Sequence, residues 1–334
     1  MKRFLHLDDL DDATLERVLA RANVLERHPV TDDLRGRTVG LLFMNPSLRT
    51  LASMEAGVKQ LGGQTFVITP GAGSWLLETE DGAVMDGPAA EHVREAIPVL
   101  AQYADLLAVR CFAKGVNLEE DLSDGLIRKM AALSPKPFVN LESAVTHPCQ
   151  ALADWKTLDD CAIPRDGALV LSWAWHPKPL PYAVPAAALD MAVRRGMDVR
   201  VLRPEGFDLP DAVMLRAAGL AKQSGGRLSV TSDRRAAMDG AHVVYLKSWG
   251  APQFYGRPQD EAAFRAPLRD WCLAESWFET ARPDAKFMHC LPVRRNVKVK
   301  DEVLDGPRSV VIREAGNRLH AQKALLVEML GDRT

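Results

Sequence analysis

Residues 38–50 read Thr-Val-Gly-Leu-Leu-Phe-Met-Asn-Pro-Ser-Leu-Arg-Thr, and how this stretch is read decides the fold. The apolar run Thr38–Phe43 has the length and composition of a buried strand, and a helix-patterned segment, Leu51–Leu61, follows directly. Between them, residues 47–50 set a hydroxyl, a guanidinium and a second hydroxyl at a strand-to-helix junction. Free backbone N–H groups point outward there, and the helix dipole favours an anion. Arg49 adds a planar, permanently charged fork suited to phosphate oxygens. The junction reads as a phosphate cradle without P-loop spacing, since no G-x-x-x-x-G-K-[ST] occurs in the chain. Taken alone, it reads equally well as an ordinary N-cap, with Ser47 capping a helix that carries an arginine.

Outward from this junction the same alternation continues. Strand-like runs occur at Thr65–Ile68, Asp105–Arg110, Phe138–Asn140, Ala168–Trp173, Asp198–Leu202, His242–Leu246, Lys286–Cys290 and Ser309–Ile312. Helix-period stretches such as Glu91–Tyr103, Leu118–Leu133 and Ala183–Arg195 lie between them, and Leu326–Leu330 reads as part of a closing helix. This pattern predicts an α/β chain of two doubly wound parallel-sheet domains, with a helical segment near Cys149–Asp160 between the strand groups and an active-site cleft between the domains. Ligands in such sheets sit at the carboxyl ends of strands, where the other polar motifs also fall. Asp105–Arg110 ends on a cation, Thr146-His-Pro-Cys-Gln150 opens a helix with Pro148 suited to its first turn, and His289-Cys-Leu-Pro292 follows a further strand. Cys290 as a nucleophile would need an activating base, which spacing cannot supply.

Composition bounds the function classes. The chain has 334 residues, 47% apolar and 26% charged, enough for about two domains with real cores. Lys plus Arg (42) nearly balance Asp plus Glu (44), which argues against a nucleic-acid or membrane surface as the main partner. The N-terminal Met-Lys-Arg-Phe-Leu-His-Leu-Asp-Asp lacks the apolar core of a signal peptide, and no apolar run of about 18 residues occurs, so a soluble, cytoplasmic protein is the expectation. Cys111, Cys149, Cys161, Cys272 and Cys290 are scattered with no C-x-x-C, against a disulfide framework or a zinc site; neither metal nor cofactor is expected.

Taken together the motifs resemble the aspartate/ornithine carbamoyltransferase family over essentially the full chain. The matching residues are Phe43 with Ser47-Leu48-Arg49-Thr50, then Val109-Arg110, His147-Pro148-Cys149-Gln150 and His289-Cys290-Leu291-Pro292, in that order. Leu48 stands where Gly or Thr is usual, Asn45 where an acid or Lys is frequent, and Leu51 where an Arg commonly follows the cradle. The resemblance implies a carbamoyl-phosphate-binding domain over 1–148, an acylornithine-binding domain over 149–312, and a C-terminal helix, 313–334, packing back on the first domain. Joining helices are long in such a fold. By the same resemblance, Arg110, His147, Gln150 and Cys290 act on the carbamoyl group, while Ser47, Leu48 (through its backbone), Arg49, Thr50, Trp75, Leu291 and Arg318 complete the carbamoyl phosphate site. Glu142, His176, Lys247, Leu291, Ala90 and Lys298 would face the acylornithine. A homotrimer is implied, with Trp75 reaching a neighbouring active site.

The branch follows from charge. Ornithine carbamoyltransferases hold a free α-ammonium with an Asp, whereas this chain reads Tyr245-Leu-Lys247-Ser248-Trp249-Gly250 in that stretch. A lysine there repels an ammonium, but an acylated nitrogen carries no charge, and Lys247 can then take the α-carboxylate. Met85-Asp86-Gly87, Trp173–Leu180 and His289–Asn296 also resemble the N-acylornithine branch of arginine biosynthesis. Three residues beyond Asp86-Gly87, acetyl-specific members carry Glu and succinyl-specific members Pro; Ala90 matches neither and would not repel a succinyl carboxylate. Pro179-Leu-Pro-Tyr-Ala-Val-Pro185, Arg203-Pro-Glu-Gly206 and the Glu142-to-His147 step look succinyl-like. Lys298 instead matches a lysine that is carboxylated in the acetyl-specific subgroup; as a cation it would pair with a succinyl carboxylate, and as a surface lysine it would do neither. N-succinyl-L-ornithine is therefore the expected substrate, with N-acetyl-L-ornithine, or a carbamoyltransferase-like ligand-binding protein that turns nothing over or acts on another amine, as alternatives. A Rossmann dehydrogenase is disfavoured because no G-x-G-x-x-G follows any strand.

Overall fold

The computed structural model describes residues 1–331. In chain order the strands are β1 (Arg3–Phe4), β2 (Thr38–Phe43), β3 (Gln64–Ile68), β4 (Leu76–Glu78), β5 (Ala89–His92), β6 (Leu106–Arg110), β7 (Phe138–Glu142), β8 (Ala168–Trp173), β9 (Asp198–Leu202), β10 (Arg227–Thr231), β11 (Val243–Lys247) and β12 (Lys286–Met288). The helices are α1 (Asp12–Arg27), α2 (Leu48–Gln60), α3 (Val93–Tyr103), α4 (Leu118–Leu122), α5 (Gly125–Leu133), α6 (Pro148–Asp160), α7 (Ala183–Arg194), α8 (Asp211–Ser224), α9 (Arg234–Met238), α10 (Pro258–Arg265), α11 (Asp301–Leu304) and α12 (Val311–Leu330). None of these helices is long and apolar enough to cross a membrane.

The chain forms two compact α/β units. Unit 1 comprises Met1–Ala113, Ser123–Leu152 and the segment from Arg318; unit 2 comprises Lys114–Leu122 and Ala153–Asn317. Helices α6 and α12 thus contribute residues to both. Unit 1 holds a parallel sheet in the order β1-β7-β6-β2-β3, and unit 2 one in the order β10-β9-β8-β11-β12. Every residue of β6, β7 and β8 is buried, so helices cover both faces of each sheet, as a doubly wound arrangement requires. In unit 1 the side chains of α3 and α5 share a core with Leu42, Leu107, Val109 and Phe138. Gly40 permits close packing in the centre of β2: a Cβ there would come within 2.7 Å of the Phe66 ring and 2.8 Å of Leu107.

Two sequence expectations fail. Ser309–Ile312 is not a strand: Ser309 makes an isolated bridge to Phe287, and α12 begins at Val311. The β-branched run resembles a strand, yet from Val311 burial follows the helical period, with Val311 and Glu314 inside and Ile312 77% exposed. Leu118–Leu133 is two helices, parted where Asp124 takes a left-handed φ of 56°; α4 belongs to unit 2 and α5 to unit 1. Residues 332–334 of the expected C-terminal helix lie outside the described residues.

Candidate active site

Each sheet reverses its strand order at one point, and the polar motifs collect at the carboxyl ends there. In unit 1 the reversal lies between β2 and β6. β2 runs into the α2 cap, where the Ser47 hydroxyl accepts the Thr50 N–H at 3.3 Å and donates to Thr50 Oγ1 at 3.0 Å. Arg49 is half-buried in the first turn, and Leu48 is 80% exposed. Arg318, buried on α12, joins this turn to α6: Nη2 donates to Thr50 Oγ1 at 3.1 Å and Nη1 to Gln150 Oε1 at 2.9 Å. Arg318 Nε donates to Gln322 Oε1, which also accepts the Ser53 hydroxyl.

Beside this network stands a second cluster from β6 and β7. The Arg110 guanidinium is hydrogen-bonded to the Glu142 carboxylate and lies 4.4 Å over the Phe112 ring. His147 Nε2 lies 3.4 Å from the same carboxylate, and His147 Nδ1 accepts the Gln150 N–H at 3.3 Å. A nitrogen that accepts a backbone N–H carries no proton, so the neutral imidazole presents Nε2–H. Asn45, at the junction after β2, accepts the Phe112 N–H at 2.7 Å and ties the two strand ends together.

In unit 2 the reversal lies between β8 and β11. β11 ends on Lys247, whose Nζ is 3.4 Å from Cys290 Sγ. Past β12, His289-Cys290-Leu291-Pro292 turns with Leu291 at a left-handed φ of 56° and a cis Leu291–Pro292 peptide. His289 Nδ1 accepts the Leu291 N–H at 2.8 Å, which leaves the proton on Nε2. Lys298 Nζ lies 2.9 Å from that Nε2 and must therefore accept, which an ammonium cannot do. Burial, followed by the charge of Lys247, accordingly holds the Lys298 amine well below the usual lysine range. Lys298 is 1% exposed, so the surface reading fails, and an uncharged amine does not supply the cation for a succinyl carboxylate.

His176, in the loop after β8, accepts Arg294 Nε–H at 3.1 Å and donates from Nδ1 to the Lys178 carbonyl at 2.8 Å. Burial, with the surrounding cations adding to it, pushes its pKa down from 6.5 to about 4. The unfolded chain therefore takes up this proton first as the pH falls. The contribution is fully present above pH 6.5 and disappears towards pH 4, a change of up to about 3 kcal/mol. Denaturant titrations should show wild type losing that margin relative to His176→Gln between pH 7.5 and 4.5; parallel pH slopes would sink the assignment.

Trp75 immediately precedes β4 and Ala90 lies in β5, the two strands of a small separate ribbon. Trp75 is 57% exposed and donates Nε1–H to Glu91 at 2.7 Å; Ala90, also exposed, sits at the irregular step of the ribbon. Glu142, which the sequence reading placed on the acylornithine side, engages Arg110 and His147 in unit 1. The reading assigned no role to Asn45, His289, Arg294 or Gln322. The first three fall inside quoted motifs or beside them without a role of their own, and nothing in the sequence marked Gln322.

Comparison with known proteins gives a consistent result. Residues 2–160 match the carbamoyl-P binding domain of aspartate/ornithine carbamoyltransferases, and residues 184–329 match their Asp/Orn binding domain. The chain is 41% identical to the N-acetylornithine carbamoyltransferase of Xanthomonas campestris pv. campestris, over 99% of this chain and 98% of that protein. It is 34% identical to the N-succinylornithine carbamoyltransferase of Bacteroides thetaiotaomicron, over 95% of each. A crystal structure of a glutamate-to-alanine mutant of N-acetyl-L-ornithine transcarbamylase, complexed with carbamyl phosphate and N-succinyl-L-norvaline, superposes with a TM-score of 0.95 at 41% identity, covering 98% of this chain and all of the other.

Proposed function

The chain belongs to the aspartate/ornithine carbamoyltransferase family, and from that premise we propose that this carbamoyltransferase moves the carbamoyl group of carbamoyl phosphate to the δ-amine of N2-acetyl-L-ornithine. The products are N-acetylcitrulline and phosphate, and the reaction serves arginine biosynthesis. The observation that carries an acylated substrate is Lys247 beside Cys290 at the end of β11. This lysine repels a free α-ammonium and attracts the α-carboxylate. The identity to N-acetylornithine carbamoyltransferases, higher than to the succinyl enzymes, supports the acetyl form over the succinyl group expected from the sequence.

In unit 1, Ser47, Arg49, Thr50 and the backbone at Leu48 take the phosphate at the α2 N-terminus, with Arg318 holding Thr50 and Gln150 in place. Arg110 and the Nε2–H of His147, which here meet at the Glu142 carboxylate, are the donors we assign to the carbamoyl oxygen, where they favour the negative charge that develops. A neutral δ-amine attacks the carbonyl carbon, the bond from that carbon to the phosphate oxygen breaks, and the departing phosphate accepts the amine proton. No nucleophilic side chain is needed; positioning and electrostatics account for the rate.

Assaying carbamoyl transfer to ornithine, N-acetylornithine, N-succinylornithine and aspartate tests this reading. A kcat/KM for ornithine above that of both acylated forms would overturn it. Ala90 favours N-succinylornithine as a second reading, because no carboxylate stands at that position, and the alanine mutant of the relative holds a succinyl ligand. Ala90→Glu should then depress succinyl use relative to acetyl use at least about 30-fold, since two carboxylates 4–8 Å apart repel by about 2–4 kcal/mol at an effective dielectric near 20. An unchanged ratio would mean that residue 90 does not face the acyl group.

The exposed Trp75 suits a homotrimer in which it completes a neighbour's site. Mixing an inactive Arg49 variant with an inactive Trp75 variant should restore part of the activity through hybrid assemblies. Demonstrated subunit exchange without recovery would exclude shared sites.

A further inference from the structure

Within unit 2, at the root of the His289–Pro292 turn, three fully buried side chains meet that the proposed chemistry does not use: Asp154 on α6, Tyr245 on β11 and Glu314 on α12. Glu314 Oε2 accepts the backbone N–H of His289 at 2.8 Å. The Asp154 carboxyl stands beside the Glu314 carboxyl and the Tyr245 phenol, and its charge raises the pKa of both. The Cys290 thiol also faces the cluster.

Two buried carboxyl groups side by side do not both ionise, so the pair keeps a proton. Burial, and then the negative charge of Asp154, act in the same direction, raising Glu314 well above the ordinary carboxyl range. From this neutral acid the connections run outward: Glu314 to the His289 backbone, the His289 ring to the Leu291 N–H, and Lys298 to the other face of that ring. Leu291 occupies a left-handed conformation that a side-chain-bearing residue keeps only when its surroundings over-determine it.

We propose that Glu314, held as a neutral acid against Asp154, is a positioning residue that sets the His289–Leu291 backbone and thereby places Cys290 and Leu291 for carbamoyl transfer. The proposal rests on the carbamoyltransferase reading above. Gln imitates a protonated Glu in this setting: its carbonyl accepts the His289 N–H and its uncharged amide stands beside Asp154. Glu314→Ala removes both, and a misplacement of about 1 Å costs on the order of 100-fold.

The experiment compares Glu314→Ala, Glu314→Gln and Asp154→Asn with the wild-type enzyme. Glu314→Ala should lower kcat by about 30–100-fold, and Glu314→Gln should recover most of that loss. Asp154→Asn replaces an acceptor by an amide donor, lets Glu314 ionise, and should introduce a pH-dependent step in kcat that wild type lacks. A reading independent of turnover is the infrared C=O band of a protonated carboxyl at pH 8, present in wild type and absent in Glu314→Gln. An active, folded Glu314→Gln as impaired as Glu314→Ala, or a wild type without that band, overturns the proposal alone. A wild type that carbamoylates no amine overturns the functional reading and the positioning role with it.

Discussion

Arg49→Lys should abolish turnover while leaving the fold intact. Arg49 lies in the first turn of α2, directly after the Ser47 cap, where unpaired helix N–H groups and the dipole already favour an anion. A guanidinium adds two parallel N–H bonds to phosphate in a fixed plane, whereas an ammonium supplies a point charge on a flexible stem. The lost geometry should lower kcat/KM for carbamoyl phosphate by about two to three orders of magnitude, since charge-assisted bidentate contacts are among the strongest in proteins. Stability should hardly move, because Arg and Lys have nearly equal helix propensity and residue 49 is half-buried. Saturation kinetics beside a thermal melt decide the point: a wild-type kcat/KM in a folded lysine variant would remove Arg49 from the cradle.

Glu142→Ala should be the more damaging change to the protein as a whole. Its carboxylate sits between Arg110 and His147, with Arg110 only 6% exposed. Removing it leaves a buried guanidinium without its counter-ion, a defect that costs about 3–5 kcal/mol. It also frees the two groups we propose to act on the carbamoyl oxygen, so kcat should collapse together with stability. Glu142→Gln keeps an acceptor but no charge, and its loss of stability should be smaller, about 1–2 kcal/mol. Equilibrium denaturation of both variants separates the effects. An alanine variant as stable as wild type would show that Arg110 does not depend on Glu142.

How much of this was legible depended on where each residue's partners lie. Strands β2, β6 and β8 could be read almost residue by residue, because central strands of a parallel sheet are nearly continuous apolar runs. β10, an edge strand reading Arg-Leu-Ser-Val-Thr with two exposed polar positions, carries no such run and passed unnoticed. The amphipathic α1 and α8 were also missed, since their charged outward faces dilute the apolar period. The motifs were legible as motifs. Their residues share short windows because a strand end and the following helix turn are contiguous in the chain.

The sequence by itself therefore determined two parallel α/β units, the hydroxyl-rich turn with Arg49 at residues 47–50 and the cation at Lys247, all of which are local patterns of polarity and charge. Only the tertiary structure decided what each group does in its surroundings. It brought Arg318 onto Gln150 across 168 positions, turned Glu142 towards Arg110 and His147, and buried Lys298 against His289 so that its amine must be uncharged. Protonation and orientation are set by dielectric and by hydrogen-bond partners, and in a folded chain those partners come from segments that no local period connects.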